Sequence, residues 1–244
     1  MNTTFSTSHL RFLASLKQKK HRLQENRVVV EGKRILHQLA DWGIYPLELY
    51  LSQEEPELEA GQIFRVSPQV MPRICESETP PSIAGLFKLP QPRKFAFRLA
   101  FYLDGISDPG NLGTIFRTAS AFGVEGLILS SECCEVSSPK VIRSSLGAVY
   151  RVPFFYANPY DVFNLPAVLY CLDIDGQLKI SEFQPDHPAL IALGSEAHGL
   201  SDSIKKLSKA SIQIPMPGNM ESLNAALSFG IAAYEMAKGQ LNPK

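Results

Sequence analysis

The stretch IQIPMPGNMESLNAALSFGIAAYE, residues 212–235, decides the fold class of the C-terminal half of the chain. It begins as a short apolar strand and enters a loop that Pro215 and Pro217 stiffen. The chain turns at residues 218–219. The following segment carries few charges and predicts a helix over residues 223–238 that is buried on most of its surface.

Two polar side chains, Ser222 and Asn224, flank the start of this apolar helix. A helix cap explains Ser222 by itself, because serine is a preferred N-cap residue. Alternatively, the Ser-Leu-Asn segment finds its hydrogen-bond partners in a ligand, since polar groups that open a buried helix need partners. The pattern leaves both interpretations open.

Strands and helices alternate on the N-terminal side of this stretch. We predict strands over residues 99–103, 126–129, 167–172, 190–193 and 211–214, and helices over residues 113–122, 139–146, 202–207 and 223–238. Alternation of this kind is typical of an α/β fold with a mostly parallel sheet covered by helices on both faces.

The first 92 residues form a separate small α/β region. Their periodicity predicts an amphipathic helix over residues 5–24, a strand over 27–31, a helix over 32–42 and a strand over 46–52. Prolines crowd residues 79–94, which indicates an edge strand over 85–89 followed by a linker. We therefore predict two domains, residues 1–92 and residues 93–244.

The charge of the chain is unevenly distributed. The net charge is +0, which excludes a protein that binds nucleic acid through its overall charge. Residues 1–34, however, hold eight basic residues against two acidic ones. This basic segment predicts a local anionic partner, although a solvated helix face would look the same. The candidate RNA contacts in it are Lys19, Lys20, Arg22, Lys33 and Arg34.

The remaining composition narrows the class of protein further. The four cysteines have neither CxxC spacing nor a nearby histidine cluster, so we expect reduced thiols and no metal site. No apolar run approaches the roughly 20 residues that span a bilayer, and no secretory signal is visible at the N-terminus. We therefore expect a cytoplasmic protein without a membrane partner.

A second chemistry-bearing segment is DGISDPGNLGTIFRTASAFG, residues 104–123, in which a strand ends, a turn follows and a helix starts. We expect the helix to start at Asn111, with Asn111 as its cap, and to end at Gly123. Arg117 lies among apolar residues of this helix. It is either a surface arginine with a buried stem or part of an anion-binding pocket near the helix N-terminus.

A third segment, IALGSEAHGLS, residues 191–201, follows a buried strand. Gly194 and Gly199 allow close approach to the backbone, and Glu196 stands where open α/β sheets bind ligands. A solvated loop that ends in a helix cap at Ser201 or Asp202 explains the same residues equally well.

Taken together, the three segments resemble the SpoU (TrmH-like) branch of the SPOUT methyltransferases. The blocks NLGTIFR, GSEAHG and IPMPGNMESLN, at residues 111–117, 194–199 and 214–224, match the family's motifs in order and spacing. Ala197 departs from the pattern, because many members carry glycine there. The N-terminal segment LKQKKHRLQENRVVVEGKRIL, residues 16–36, is similar to the family's RNA substrate-binding domain.

The resemblance implies a trefoil-knotted C-terminal domain and an S-adenosylmethionine-dependent RNA 2′-O-ribose methyltransferase. It implies a homodimer whose active site lies at the subunit interface. The cofactor contacts that it implies are Leu193, Gly194, Ile214, Met216, Leu223 and Ala225. The catalytic residues that it implies are Arg117, Asn111, Glu196, Ser222 and Asn224.

Several alternatives remain at this point. Ribosomal RNA of the 23S type is the expected substrate because of the separate N-terminal domain, and transfer RNA is the alternative. A non-catalytic RNA-binding or ribosome-assembly protein with the same fold is a second alternative, and the intact candidate catalytic residues argue against it. A base methyltransferase of the superfamily is a third, and by resemblance the Ser-Leu-Asn block favours ribose over base chemistry. Arg117 is expected to clamp and orient the substrate through its phosphate, because arginine stays protonated.

Overall fold

The computed structural model describes residues 5–53, 58–218 and 220–241, so the second residue of the turn expected at 218–219 lies outside the described residues. The chain divides into two compact units. The first comprises Met1–Pro90 together with Val136–Gly147, and the second comprises Gln91–Glu135 together with Ala148–Lys244. The division into domains at residue 92 stays a prediction.

The described residues form nine α-helices and eleven β-strands. They are α1 (Thr7–Ser15), α2 (Lys19–Glu25), β1 (Arg27–Glu31), α3 (Lys33–Asp41), β2 (Glu48–Leu51), β3 (Gln62–Arg65), α4 (Met71–Ile74), β4 (Ile83–Lys88), β5 (Leu99–Asp104), α5 (Pro109–Ala121), β6 (Leu127–Leu129), α6 (Pro139–Ser144), β7 (Phe154–Tyr156), α7 (Pro159–Phe163), β8 (Val168–Leu172), β9 (Leu178–Lys179), β10 (Ala189–Gly194), α8 (Asp202–Leu207), β11 (Ala210–Gln213) and α9 (Ala225–Leu241).

The first unit contains a mixed sheet in the order β1-β4-β2-β3. Strand β4 pairs antiparallel with both β1 and β2, so the prediction of an edge strand here is wrong. Pro80, Pro81 and Pro90 all lie outside the limits of β4, and none of them removes a hydrogen-bond donor from the sheet. The prolines mark where the strand begins and ends.

The single helix expected over residues 5–24 is two helices, α1 and α2. The interruption is stabilised from within α2: Arg22 Nη1 donates hydrogen bonds to the carbonyl oxygens of Leu16, at 3.1 Å, and Lys17, at 2.7 Å. These carbonyls follow the end of α1, where backbone acceptors lack partners within the helix. A buried arginine therefore fixes the bend.

The second unit is built on a sheet in the order β7-β6-β5-β10-β8-β11-β9, and every pairing within it is parallel. Alternate residues of β5 face opposite layers. Phe101 packs against Phe229 of α9, with ring centroids 4.7 Å apart. Tyr102 lies in the cluster that contains Val162 of α7 and Ile204 of α8. The predicted α/β fold with helices on both faces is confirmed; the trefoil knot stays a prediction.

The order of the parallel strands determines where a ligand can bind. From β5 the chain continues to β6 and β7 on one side, whereas β10, β8 and β11 lie on the other side of β5. In such sheets a crevice opens at the carboxyl ends of the strands, where the direction of winding reverses. β5 ends at Asp104 and β10 at Gly194, so the loops of the second and third segments singled out in the sequence lie at this crevice.

Candidate functional site

Helix α5 begins earlier than the sequence suggests. Asp108 is its N-cap, and the Asp108 carboxylate accepts a hydrogen bond from the backbone N–H of Asn111 at 2.8 Å. Pro109 occupies the first turn, where a backbone N–H has no acceptor within the helix, so proline costs no hydrogen bond there. The expectation that Asn111 caps the helix is therefore wrong. Because Asp108 does the capping, the Asn111 side chain is available for other contacts, and Gly123 follows the helix end with φ +67 as expected.

The loop after β10 is tightly folded on itself. A Cβ atom on Gly194 would lie 2.1 Å from the carbonyl carbon of Gly199 and 2.3 Å from the backbone nitrogen of Leu200. Gly199 has a φ of +63 and donates its N–H to the Ser195 carbonyl at 2.8 Å. Both glycines are thus required by the chain's own backbone, and the loop that they form presents Glu196.

Glu196 joins the three sequence segments. Its Oε1 atom accepts hydrogen bonds from Asn111 Nδ2 at 2.7 Å, from Asn224 Nδ2 at 2.6 Å and from the backbone nitrogen of Ala225 at 3.0 Å. Asn224 Nδ2 also donates to Asn111 Oδ1 at 3.1 Å. A carboxylate at the N-terminus of α9 is further stabilised by the helix dipole. We call Asn111, Glu196 and Asn224 the polar triad.

Asn224 also caps α9. Its Oδ1 atom accepts hydrogen bonds from the backbone nitrogens of Ala226, at 3.0 Å, and Leu227, at 3.2 Å. The helix begins at Ala225, two residues later than expected, so the interpretation of Ser222 as the cap is wrong. Ser222 is exposed, and it makes no hydrogen bond to the described residues.

An open cleft of about 350 Å³ lies at the carboxyl ends of β10, β8 and β11. Four of the six expected cofactor contacts line it: Leu193, Ile214, Met216 and Leu223. The other two, Gly194 and Ala225, are buried and directly follow Leu193 and Asn224 in the chain. The remaining lining residues, which the sequence did not single out, are Leu172, Asp173, Ile174 and Ser228.

Asp173 is the one charged residue among those lining the cleft. Its Oδ2 atom forms an ion pair with Lys205 Nζ at 2.7 Å. Burial opposes ionisation of the carboxyl, but hydrogen bonds from Lys205 and from the backbone at Asp175 and Ile174, together with the charge of Lys205, outweigh it and lower the pKa of Asp173. The hydrogen bond to Asp173 raises the pKa of Lys205. Both groups are therefore charged near neutral pH. The position of Asp173, directly after a strand that ends beside β10, is the signal that could have identified it.

Arg117 is exposed on α5, and it makes no hydrogen bond or ion pair within the described part of the chain. It follows Asn111 by six residues, about one and two-thirds helical turns, so the two side chains leave α5 on different sides. Within one chain, the structure does not bring Arg117 to the polar triad.

The basic residues of the first unit fall into two groups. Lys19, Lys20, Lys33 and Arg34 are exposed on α2 and α3. Arg22 is only 4% exposed. Besides its two carbonyl acceptors, it lies 3.9 Å from the Glu76 carboxylate. The expectation that Arg22 contacts RNA is therefore corrected, because its guanidinium is already used inside the unit.

Among residues 5–53, 58–218 and 220–241, no group of three or more His, Cys, Asp or Glu side chains could hold a metal ion. None of the helices described in the structure has the length and apolar character needed to cross a membrane.

Comparison with known proteins identifies relatives over nearly the whole chain. Residues 98–234 match the SpoU rRNA methylase family, and residues 8–85 match the MRM3-like substrate binding domain. An uncharacterised tRNA/rRNA methyltransferase of Synechocystis is 30% identical, covering 93% of this chain and 90% of the relative. The 23S rRNA (guanosine(2553)-2′-O)-methyltransferase RlmP of Bacillus subtilis is 27% identical, covering 89% and 91%.

A solved structure extends the likeness to three dimensions. The SpoU methyltransferase AviRb from Streptomyces viridochromogenes, in complex with the cofactor AdoMet, superposes with a TM-score of 0.82 at 25% identity. The match covers 98% of this chain and 100% of that one. Both compact units therefore have counterparts in one known protein.

Proposed function

The chain belongs to the SpoU rRNA methylase family, and from this we propose that it transfers the methyl group of S-adenosylmethionine to a ribose 2′-hydroxyl of RNA. The observation that carries the proposal is the polar triad, in which one carboxylate oxygen joins all three motif segments at the carboxyl edge of the sheet. We further propose 23S-type ribosomal RNA as the substrate, which the name of the Bacillus relative, a 23S rRNA 2′-O-methyltransferase, supports.

The cleft suits an adenosyl methyl donor. Leu193, Ile214, Met216 and Leu223 offer apolar surface for a purine ring, and Asp173 offers an ionised acceptor. S-adenosylmethionine supplies a methyl group that is already activated by its sulfonium. We therefore assign Leu193, Gly194, Ile214, Met216, Leu223 and Ala225 to its binding.

The residues of the chain have to place the hydroxyl in line with the methyl group, and positioning of this kind can contribute roughly 7–11 kcal/mol. Glu196 holds Asn111 against Asn224 and fixes the start of α9, so it acts as a positioning residue. Asn111 and Asn224 then present amides beside the reacting ribose. We place Ser222, which is exposed in the segment before α9, on the substrate side.

Arg117 is proposed to hold an RNA phosphate next to the target ribose. A guanidinium without a partner among the described residues is available for a bidentate contact with phosphate, and arginine remains protonated at neutral pH. Arg117 therefore orients the substrate and stabilises its charge.

We also propose that a second copy of the chain completes the active site. Arg117 leaves α5 on a different side from Asn111 of its own chain, so its phosphate contact fits the triad of a partner better. On α9, which packs against α5, Leu227 and Tyr234 are 53% and 44% exposed and lie seven residues apart, on one face of the helix. An apolar face of this kind is typical of a dimer contact.

The N-terminal unit is proposed to bind the RNA substrate through Lys19, Lys20, Lys33 and Arg34, whose exposed charges suit phosphates. A cytoplasmic location is part of the same proposal, and it is supported by four cysteines that are all unpaired.

The substrate is tested by mapping 2′-O-methylated nucleotides in RNA from a strain that lacks the gene. We expect one position of the large-subunit ribosomal RNA to lose its methyl group and to regain it when the purified protein and S-adenosylmethionine are added. A lost methyl group in transfer RNA, with ribosomal RNA unchanged, would replace the ribosomal assignment with the transfer RNA alternative. Unchanged methylation of both would favour the non-catalytic alternative.

A further inference from the structure

We propose that Asp173 recognises the vicinal 2′- and 3′-hydroxyls of the adenosyl ribose of the methyl donor. This inference rests on the proposed function, because it names how one residue of the cleft selects the donor. It concerns a side chain that the motifs of the sequence did not identify.

Asp173 reaches the cleft from the end of β8, a strand that lies outside the three motif segments. It directly follows β8, which pairs in parallel with β10, and Leu172 of β8 lies opposite Leu193 of β10. The backbone nitrogen of Asp173 donates to the Ile212 carbonyl of β11 at 2.8 Å. Asp173 is thus held between the two strands that lead to Leu193 and Ile214, which line the same cleft.

The Asp173 carboxylate keeps room for further hydrogen bonds. Oδ2 is paired with Lys205 Nζ, and Oδ1 accepts a long bond from the backbone nitrogen of Asp175 at 3.3 Å. An ionised carboxylate offers about four acceptor positions. The side chain remains 18% exposed, and the other residues that line the cleft, apart from Ser228, are apolar. The carboxylate is therefore the strongest acceptor available to a ligand there.

Charge balance indicates which group of the donor this acceptor takes. Lys205 already neutralises the Asp173 carboxylate, so the pair offers little net attraction to the ammonium of the donor's amino-acid end. A neutral hydroxyl, in contrast, forms a stronger hydrogen bond with a charged acceptor than with a neutral one. Two adjacent hydroxyls match the two carboxylate oxygens, whereas the purine ring fits the apolar walls. The geometry therefore favours the ribose diol.

The test measures binding to the full-length protein by calorimetry, with three probes: S-adenosylhomocysteine, 5′-methylthioadenosine and the 2′,3′-dideoxy form of 5′-methylthioadenosine. We expect Asp173→Asn to weaken the first two by the same factor, about 10–100-fold for hydrogen bonds to a charged group. The dideoxy probe should bind the variant and the wild type alike. Asp173→Ser is a second variant with the same expectation, and thermal unfolding confirms that both are folded.

Asp175→Asn is the matched control, because Asp175 is exposed two residues further along and is not part of the cleft lining. It should leave all three affinities unchanged. Weakening of S-adenosylhomocysteine alone would assign Asp173 to the ammonium, and equal weakening of all three probes would assign it to the base or to the architecture of the cleft. Either result, or unchanged binding, overturns the inference. Failure of the wild type to bind S-adenosylhomocysteine would instead overturn the proposed function, and the inference with it.

Discussion

Replacing Glu196 by alanine should loosen the start of α9 and lower methyl transfer together. The change removes an acceptor of three hydrogen bonds, two from the amides of Asn111 and Asn224 and one from the backbone of Ala225. Glu196 is exposed, so water replaces part of what is lost. We expect the free energy of unfolding to fall by about 1–2 kcal/mol, of which the helix dipole accounts for about 0.3–1 kcal/mol. For a chain of this size that corresponds to a thermal midpoint about 2–8 °C lower.

The catalytic effect of Glu196→Ala should exceed its effect on folding. If two amides lose their fixed orientation, kcat should fall by about 10–100-fold at temperatures where the protein stays folded, since about 1.4 kcal/mol is a factor of ten. Affinity for S-adenosylhomocysteine should change less. Glu221→Ala is the matched control, because Glu221 is an exposed glutamate in the segment before α9 and lies outside the triad.

A double-mutant cycle tests whether Glu196 and Asn224 stabilise the protein jointly. Glu196→Ala and Asn224→Ala should be coupled by at least about 0.5 kcal/mol in stability, because the two side chains are in direct contact. Additive effects, or a Glu196→Ala variant that matches Glu221→Ala in both unfolding and turnover, would show that the triad does not organise this site.

Three further changes separate catalysis, folding and RNA binding. Arg117→Ala should reduce kcat/KM at least tenfold and leave the unfolding midpoint unchanged, because the side chain has no partner in the described chain; activity within about threefold of wild type would refute the role. Arg22→Ala should lower the free energy of unfolding by about 1–3 kcal/mol in chemical denaturation, because it leaves two carbonyl acceptors unpaired. Lys19→Gln with Lys20→Gln should weaken RNA binding and reduce the slope of log K against log salt by about 1–2 in filter-binding titrations, whereas an unchanged slope would leave them as a solvated helix face.

Much of the fold could be predicted from periodicity, and the misses have physical causes. The limits of β1 and α8 agree with the sequence prediction, because turn and cap residues stand directly at their ends. The break between α1 and α2 could not be predicted, since it depends on a guanidinium that folds back onto the preceding turn. The interior position of β4 depends on pairing with strands that are distant in sequence, which local proline content does not report.

The sequence motifs identified the residues of the polar triad, but they did not predict which of these residues contact one another. Asn111 and Glu196 are 85 residues apart in the chain, and Asn111 and Asn224 are 113 apart, so their hydrogen bonds follow from the order of the strands and not from local spacing. Local rules also chose the wrong caps, because Asp108 and Asn224 each stand close to another residue of capping type. Asp173 was missed because a single aspartate after a strand carries no motif.

The proposed reaction of the protein is the transfer of a methyl group to a ribose oxygen of RNA. Its most direct test is to incubate the purified protein with methyl-labelled S-adenosylmethionine and ribosomal RNA from the deletion strain, to digest the RNA to nucleosides and to identify the labelled one by mass spectrometry. We predict the label on the ribose of a single 2′-O-methylnucleoside, formed at least tenfold more slowly with Arg117→Ala. Label on a nucleobase, or no transfer by a protein that binds the donor, would contradict the account.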